Sequence, residues 1–164
     1  MIKIKKYKPE DAPQLAFIAN NKKIWDNLRN VIPYPYSLDD AKVFIRFVNT
    51  SREHLAFGVF QDDKLVGTIS LELGNDIYTG TAELGYFIGE PYWGRGIATK
   101  AVELITRYGF EELNLRRIYA AVFAPNKASM RVLEKNGYKQ EGVLKKRIIK
   151  EGVVMDEFLF ARLA

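Results

Sequence analysis

The stretch Tyr92–Val102, YWGRGIATKAV, places two glycines directly before a helical pattern. Gly94 and Gly96 let the backbone approach a large group closely. The first N–H groups of a helix lack partners within it and carry about half a positive charge, so a phosphate or pyrophosphate fits there. The alternative is a tight strand-to-helix turn without a ligand, and these residues alone leave both open. The helix is predicted from apolar side chains at one-face spacing, namely Ile97, Ala101, Leu104, Ile105 and Tyr108.

The composition indicates a globular protein. The chain has 164 residues, of which 48% are hydrophobic and 27% are charged. This length and composition predict a single domain over residues 1–164. No run of 18 apolar residues is present, and Met1–Lys8 alternates as a first strand does rather than as a leader. We therefore expect a cytoplasmic protein that does not enter a membrane.

Cysteine, histidine and charge exclude several classes of function. Without cysteine there is no disulfide, thiolate metal site or cysteine nucleophile. His54 is the only histidine, and no carboxylate cluster with metal-ligand spacing accompanies it, so no metal is expected. The net charge of +5 suits a ligand with several phosphates. Nucleic acid is not the expected partner, because the basic residues are scattered and no basic helix of a known binding module is visible.

The order of predicted elements is that of an α+β protein. Three local signals support the assignment: Ser37 as a helix N-cap, Asp62 and Asp63 as a hairpin turn, and Gly137 as a left-handed helix end. Four helices are predicted, over 10–20, from Ser37 to about 49, from the glycines to about 112, and over 126–136. Seven strands are predicted, over 2–8, 55–60, 65–73, 81–89, 117–123, about 138–149 and 153–163, with the last turn through 150–152.

Two common phosphate-binding motifs fit the glycines poorly. A Walker loop, GxxxxGK[ST], needs a lysine and a hydroxyl after its second glycine, but Arg95 and Gly96 follow Gly94. A dinucleotide fingerprint, GxGxxG, would have Thr99 in place of its third glycine, and the strand YAAVF at 119–123 ends without an acidic residue for a ribose. Neither nucleotide hydrolysis nor a Rossmann site is expected.

The segment WGRGIA, residues 93–98, resembles the [Q/R]xxGx[G/A] pyrophosphate loop of the GNAT acetyltransferase superfamily. ELGY at 83–86 and NKASMRVLEKNGY at 126–138 match the strand before that loop and the later N-x-x-S helix. With PYPYSLDDAKVFI at 33–45, they look like the RimJ/RimL branch of ribosomal-protein N-terminal acetyltransferases. The resemblance covers nearly the whole chain. One departure is Trp93, where many members carry Gln or Arg.

The resemblance implies a GNAT-like fold, a mixed, mostly antiparallel sheet of about seven strands flanked by about four helices. It also implies that acetyl-CoA is the cosubstrate, without a metal. Asn126 would hydrogen-bond the cofactor arm, would only cap the following helix, or would do both. Phe87, Ile88 and Gly89 would pair with the extended pantetheine. The pyrophosphate would be held by the loop residues Gly94, Arg95, Gly96, Ile97, Ala98 and Thr99.

Transfer of an acetyl group from a thioester to an amine needs a neutral amine, a stabilised oxyanion and a proton for the departing thiolate. The resemblance assigns the base to Glu83 and the proton donor to Ser129, acting directly or through a water. An N–H of the Phe87–Gly89 strand would stabilise the oxyanion. The alternatives are an ion pair or surface residue at Glu83 and a serine with only local hydrogen bonds. Tyr86 and Tyr138 are expected to be core aromatics.

The expected acceptor is a primary amine, most simply the N-terminal amine of a protein or peptide. A polyamine or aminoglycoside is the alternative, and a non-catalytic acetyl-CoA-binding module is an alternative of another class. Lys145 and Lys146 stand where some members carry a further carboxylate, which favours an acceptor with some negative character. The sequence leaves open whether a homodimer forms. Carboxylates that could recognise a cationic amine are Asp39, Asp40, Glu72, Glu83 and Asp156.

Overall fold

One sheet organises the chain, which a computed structural model describes from Met1 to Ala164. The strand order is β1-β2-β3-β4-β5-β7-β6. All neighbouring strands are antiparallel except β4 and β5, which are parallel. The expected α+β fold with a mostly antiparallel sheet of seven strands is therefore confirmed. The strands are β1 (Ile2–Lys5), β2 (His54–Gln61), β3 (Lys64–Leu73), β4 (Thr81–Ile88), β5 (Arg117–Phe123), β6 (Lys139–Lys150) and β7 (Val153–Leu163).

Five α-helices are present, one more than the sequence predicts. The extra helix, α2, is a single turn that begins where Asn21 Oδ1 accepts hydrogen bonds from the N–H groups of Lys23 and Ile24. Four residues are too few for a helical period to be visible in the sequence. The helices are α1 (Ala12–Ala19), α2 (Lys22–Trp25), α3 (Leu38–Thr50), α4 (Ile97–Glu111) and α5 (Lys127–Lys135).

The three local signals act as predicted. Ser37 Oγ accepts from the Asp40 N–H at 3.0 Å while the Asp40 carboxylate accepts from the Ser37 N–H at 2.8 Å, which closes a capping box at the start of α3. Asp62 and Asp63 both have positive φ, as a two-residue hairpin turn requires, and Gly137 follows α5 with φ of 78°. The predicted boundary that differs most is that of β1, which ends at Lys5. Most of the others differ by one or two residues, and the last strand pair turns after Lys150, which belongs to β6.

Helices cover one face of the sheet fully and the other only in part. On the first face, α4 and α5 pack on a cluster of 20 buried residues that includes Ile69, Ile105 and Phe160. On the second face, α1 and α3 pack on 12 buried residues around Leu15 and Ile45, and the strand residues in that cluster come from β2 and β3. The second face of β5 and β7 is therefore left without a helix over it, whereas Phe87 near the end of β4 packs against the α1 and α3 cluster.

The parallel strands β4 and β5 separate after three residues. Only Thr81–Glu83 of β4 pairs with Arg117–Tyr119 of β5, whereas β5 pairs with β7 along its whole length. The sheet thus opens as a wedge toward the carboxyl ends of these two strands. The glycine loop and α4 follow β4 at that edge, and α5 follows β5. In sheets with parallel strands, ligands bind outside the carboxyl ends of the strands.

Candidate active site

The glycine loop has the backbone that the sequence predicts. Gly94 and Gly96 both have φ of 74°, in the left-handed region that residues with a side chain rarely adopt. A Cβ atom added at either glycine would meet no protein atom within 4 Å. Internal packing therefore does not require glycine here. The backbone conformation does, and the space beside both residues is open to a ligand.

Six consecutive N–H groups, from Gly94 to Thr99, have no hydrogen-bond partner in the protein. The first bonded amide of α4 is that of Lys100, which donates to Gly96 O at 3.1 Å. Trp93 is the departure from the family pattern, and its indole Nε1 donates to Ile88 O at 2.7 Å, which fastens the loop to the end of β4. The result is a row of free donors at the positive end of a 15-residue helix, a geometry suited to a pyrophosphate.

The free edge of β4 lies beside this loop. Gly89 uses both its backbone groups within the protein, since its N–H donates to Val66 O at 2.8 Å and its carbonyl accepts from Tyr92 at 2.9 Å. In an antiparallel ladder the backbone groups alternate in direction, so Phe87 also faces β3 while Tyr86 and Ile88 face the opening toward β5. Of the three residues predicted to pair with pantetheine, Ile88 is the one whose N–H points into the wedge.

Asn126 and Ser129 lie on the opposite side of the wedge, at the start of α5. Asn126 Oδ1 accepts from the Ser129 N–H at 3.3 Å, so the predicted helix cap forms. Its Nδ2 group has no partner in the protein and is available to a ligand. Both side chains are half-buried.

Ser129 contacts a residue that the sequence analysis treated as a core aromatic. The hydroxyl of Tyr86 lies 2.6 Å from Ser129 Oγ and 3.3 Å from the Ser129 carbonyl oxygen. Burial raises the pKa of Tyr86 to about 12. Strand alternation, which puts Tyr86 on the face opposite Glu83, could have indicated that Tyr86 points toward α5. Tyr138 has a similar environment elsewhere: its hydroxyl lies 2.8 Å from Thr106 Oγ1, and burial raises its pKa to about 12.

These tyrosines predict a loss of stability in alkali. An unfolded tyrosine titrates near pH 10, so between about pH 10 and 12 the unfolded chain releases protons that folded Tyr86 and Tyr138 retain. The contribution of these groups to the free energy of unfolding has its full value below pH 10 and is lost as the pH rises from 10 through 12. Urea unfolding from pH 9 to 11.5 measures it. The variant Tyr138→Phe removes one such group, so an equally steep decline in that variant would contradict the prediction.

Glu83 lies on the second face of the sheet, at the point where β4 and β5 part. Its neighbours in the register are Glu72 on β3 and Tyr119 on β5. Its carboxylate accepts a hydrogen bond from Arg29 Nη2 at 2.5 Å, and 22% of the side chain is exposed. The ion pair considered for Glu83 is therefore present. Because the carboxylate also lines an open cavity, the pair does not exclude a catalytic role.

The cavity has a volume of about 690 Å³ and occupies the face that no helix covers. The segment Leu28–Asn30 forms one wall and is held by Lys150, whose Nζ donates to Leu28 O at 2.7 Å and to Asn30 Oδ1 at 2.9 Å. Lys150 is 6% exposed and lies 3.4 Å from the ring centre of Trp25. The cavity wall that carries Arg29 is thus fastened to the end of β6.

Only some of the carboxylates predicted as candidates for recognising a cationic amine line a cavity. Asp40 caps α3, and Asp156 accepts from the Lys146 N–H at 2.8 Å and from Lys145 Nζ at 3.3 Å. Neither lines the cavity, nor does Asp39, whereas Glu72 lines an adjoining one of about 470 Å³ together with Glu83. Glu157, which the sequence analysis missed, lines the larger cavity and lies 3.2 Å from Arg147 Nε.

No group of three or more His, Asp or Glu side chains is arranged to hold a metal ion. None of the helices has the length and apolar character needed to cross a membrane.

Comparisons with known proteins identify the family. A family model described as "Acetyltransferase (GNAT) domain" matches residues 2–139. "Probable N-acetyltransferase YjcK" of Bacillus subtilis is 44% identical over 66% of this chain and 61% of its own length. The ribosomal-protein-serine acetyltransferase of Escherichia coli is 31% identical over 65% of this chain and 59% of its own. The spermidine N(1)-acetyltransferase of Escherichia coli is 30% identical over 68% and 59%.

Solved structures match along nearly the entire chain. A GNAT-family acetyltransferase from Bacillus anthracis superposes with a TM-score of 0.85 at 26% identity, covering 99% of this chain and 94% of the other. The microcin C7 self-immunity acetyltransferase MccE, solved in complex with acetyl-CoA and AMP, superposes with a TM-score of 0.84 at 24% identity, covering 99% and 92%. The second likeness concerns the fold alone.

A wedge between two parallel strands lies between a row of free amides and a cavity with a carboxylate. This arrangement is suited to an acyltransferase that uses a phosphate-bearing carrier. The chain belongs to the GNAT acetyltransferase family. Two features suit a phosphate-bearing carrier: the open space beside Gly94 and Gly96, and the Asn126 amide nitrogen, which has no partner in the protein.

Proposed function

We propose that the acceptor is the N-terminal amine of a protein or peptide, and that it enters through the cavity beside Glu83. The observation that carries this proposal is the charge of the cavity wall. Three cations, Arg29, Arg147 and Lys150, accompany two carboxylates, Glu83 and Glu157. A polyamine with several positive charges would meet a net positive wall, whereas a peptide brings one ammonium and a backbone of neutral acceptors. The excess positive charge is that of Lys150, which is 6% exposed and bonded to Leu28 and Asn30, so an acidic peptide would gain from its field rather than from direct contact.

The residues divide the chemistry between the two sides of the wedge. When bound, acetyl-CoA supplies the acetyl group activated as a thioester. The amides of Gly94–Thr99 hold the pyrophosphate, and Asn126 Nδ2 donates to the carrier arm. The Ile88 N–H, free on the open edge of β4, donates to the negative charge that develops on the acetyl oxygen. Glu83 Oε takes the proton of the attacking amine, and Ser129 Oγ gives a proton to the departing sulfur.

A small-molecule amine is the second candidate, favoured by a different observation. Glu72 and Glu83 are direct cross-strand neighbours and together line the adjoining cavity, where they could hold a cation. The spermidine acetyltransferase among the relatives gives this candidate a precedent. Cytoplasmic location is proposed with either acceptor.

A matched acceptor panel tests the proposal. Short peptides with a free N-terminal amine, one neutral and one acidic, are compared with spermidine and an aminoglycoside at equal concentration, and thiol release is measured. We expect the highest kcat/KM with the acidic peptide, because it complements the cationic wall. The same peptide with a blocked N-terminus and no lysine is the control and should release no thiol.

Three other outcomes would contradict a peptide acceptor or amine acetylation itself. Faster turnover of spermidine than of either peptide would favour the small-molecule candidate. Binding of acetyl-CoA by titration without thiol release from any amine would indicate a non-catalytic module. Equal release from the blocked peptide would show hydrolysis rather than transfer.

A further inference from the structure

The hydroxyl of Tyr86 has no role in the chemistry described so far, although it contacts the residue assigned as proton donor. We propose that Tyr86 is a positioning residue that acts through Ser129. Its hydroxyl donates to Ser129 Oγ, directs the serine's own proton toward the sulfur, and replaces that proton once it has been given away. This inference rests on the proposed role of Ser129 in acetyl transfer.

The heavy-atom geometry allows two arrangements of the protons, because either oxygen of the 2.6 Å contact can be the donor. In the first, Ser129 donates to Tyr86, and the tyrosine proton goes to the Ser129 carbonyl at 3.3 Å. No hydroxyl proton then points away from the pair. In the second, Tyr86 donates to Ser129 Oγ and the serine proton is free. A thiolate can only accept a hydrogen bond, so its presence in the wedge selects the second arrangement.

The environment of Tyr86 keeps its hydroxyl protonated, so that it can replace the proton that Ser129 gives away. Its ring packs against the core beneath α4 and α5, and burial raises the pKa of its hydroxyl to about 12. The hydroxyl is therefore protonated at neutral pH. A phenol is nevertheless a stronger acid than an alcohol, so negative charge is stabilised when it passes from Ser129 Oγ to Tyr86. A free thiol, with a pKa of about 8.5, is more acidic than either, so the proton transfer to sulfur runs uphill and is drawn forward when water reprotonates Tyr86.

The transfer balances without an added reactant. The Ser129 O–H bond breaks as the S–H bond of the free thiol forms. The Tyr86 proton moves to Ser129 Oγ, and water then reprotonates the phenolate. The amine proton taken by Glu83 returns to solvent, so the net change is one proton moved from the acceptor nitrogen to sulfur.

Kinetics of Tyr86→Phe test the inference, because phenylalanine keeps the ring and removes only the hydroxyl. We expect kcat to fall about ten- to a hundredfold, the size of a hydrogen bond to a charged group, with the KM for acetyl-CoA unchanged. In the Ser129→Ala background the same change should have no further effect on kcat, since Tyr86 acts only through Ser129. Tyr138→Phe is the matched control: it removes the hydroxyl, bonded to Thr106, of a still more deeply buried tyrosine, and should keep kcat.

A second readout needs neither cosubstrate nor turnover. In protein with ¹³C-labelled tyrosine, the Tyr86 Cζ resonance is identified by its absence in Tyr86→Phe. It should shift in Ser129→Ala and stay unchanged in Tyr138→Phe. The inference is overturned if Tyr86→Phe keeps wild-type kcat, or if the decreases in kcat of Tyr86→Phe and Ser129→Ala multiply in the double variant. It is also overturned if the Tyr86 Cζ resonance does not shift in Ser129→Ala. Wild-type protein that releases no thiol with any amine would instead overturn the proposed function, and the inference with it, even where the resonance does shift.

Discussion

Replacing Gly96 with valine should abolish acetyl-CoA binding at ordinary concentrations while leaving the protein folded. Gly96 has φ of 74°, and its Cβ position faces open space beside six free amides. A branched side chain there would occupy the approach of the pyrophosphate and would disfavour the backbone angle that aims the amides. Losing three charge-assisted contacts at about 1.5 to 3 kcal/mol each weakens binding by a factor on the order of a thousand or more.

The cost to stability is much smaller than the cost to binding. A side chain held at positive φ costs about 1 to 3 kcal/mol, against a total of about 5 to 15 kcal/mol for a folded domain. Gly152→Val is the matched control, because Gly152 has φ of 79° and an equally open Cβ position but lies in the β6–β7 turn. It should show the same loss in urea unfolding and bind acetyl-CoA normally by titration calorimetry.

Arg95→Ala separates the backbone from the side chain of the same loop. The Arg95 guanidinium forms no ion pair and lies 5.8 Å from the ring of Tyr92, so its loss removes a solvent-screened charge and should weaken binding only a few-fold. Crippled binding in Arg95→Ala together with near-normal binding in Gly96→Val would mean that the glycines form only a turn.

The sequence predicts this fold well because its local signals and its hydrophobic pattern agree. The capping box at Ser37, the Asp62–Asp63 turn and the period of α4 each appear where the chain needs them. Helix α2 escapes prediction because its single turn depends on Asn21 and on packing of Ile24, not on a repeating pattern. The end of β6 is similar, since Lys150 reads as a turn residue but is buried by its contacts with Leu28 and Asn30.

The sequence predicts only the part of the candidate site that consists of backbone groups from one short segment. The glycine loop is local in sequence, so its free amides follow from a few neighbouring residues. The cavity is assembled from β4, β5, β6, β7 and the segment after α2. No spacing in the sequence indicates that Arg29 pairs with Glu83, or that Glu157 lines the same cavity. The Tyr86–Ser129 contact likewise joins residues 43 positions apart. Such juxtapositions depend on the strand order, which the sequence alone does not provide.

Glu83→Gln should lower kcat/KM by about 10² to 10⁴, the range for loss of a general base, without changing the affinity for acetyl-CoA. Glutamine keeps the size of the side chain but cannot take a proton from the amine. Glu83 faces the cavity proposed for the acceptor, on the side of the sheet opposite Tyr86, so the substitution does not disturb the free amides proposed to hold the pyrophosphate. Thiol release with the best peptide of the panel measures the rate, and calorimetry measures the affinity.

The ion pair with Arg29 supplies the control that decides between the two readings of Glu83. Arg29→Gln breaks the same 2.5 Å contact from its other side but leaves the carboxylate in place. A partly exposed pair contributes about 0 to 1 kcal/mol, so its loss alone should change kcat/KM less than tenfold and stability little. If Glu83 is the base, Glu83→Gln is slow, whereas Arg29→Gln stays close to wild type when it is assayed with the neutral peptide, for which the charge of the cavity wall matters least. If kcat/KM falls equally in the two variants, the ion pair is structural and supports the wall formed by Leu28–Asn30. Another residue of the cavity must then be the base, and Glu157 is the first candidate.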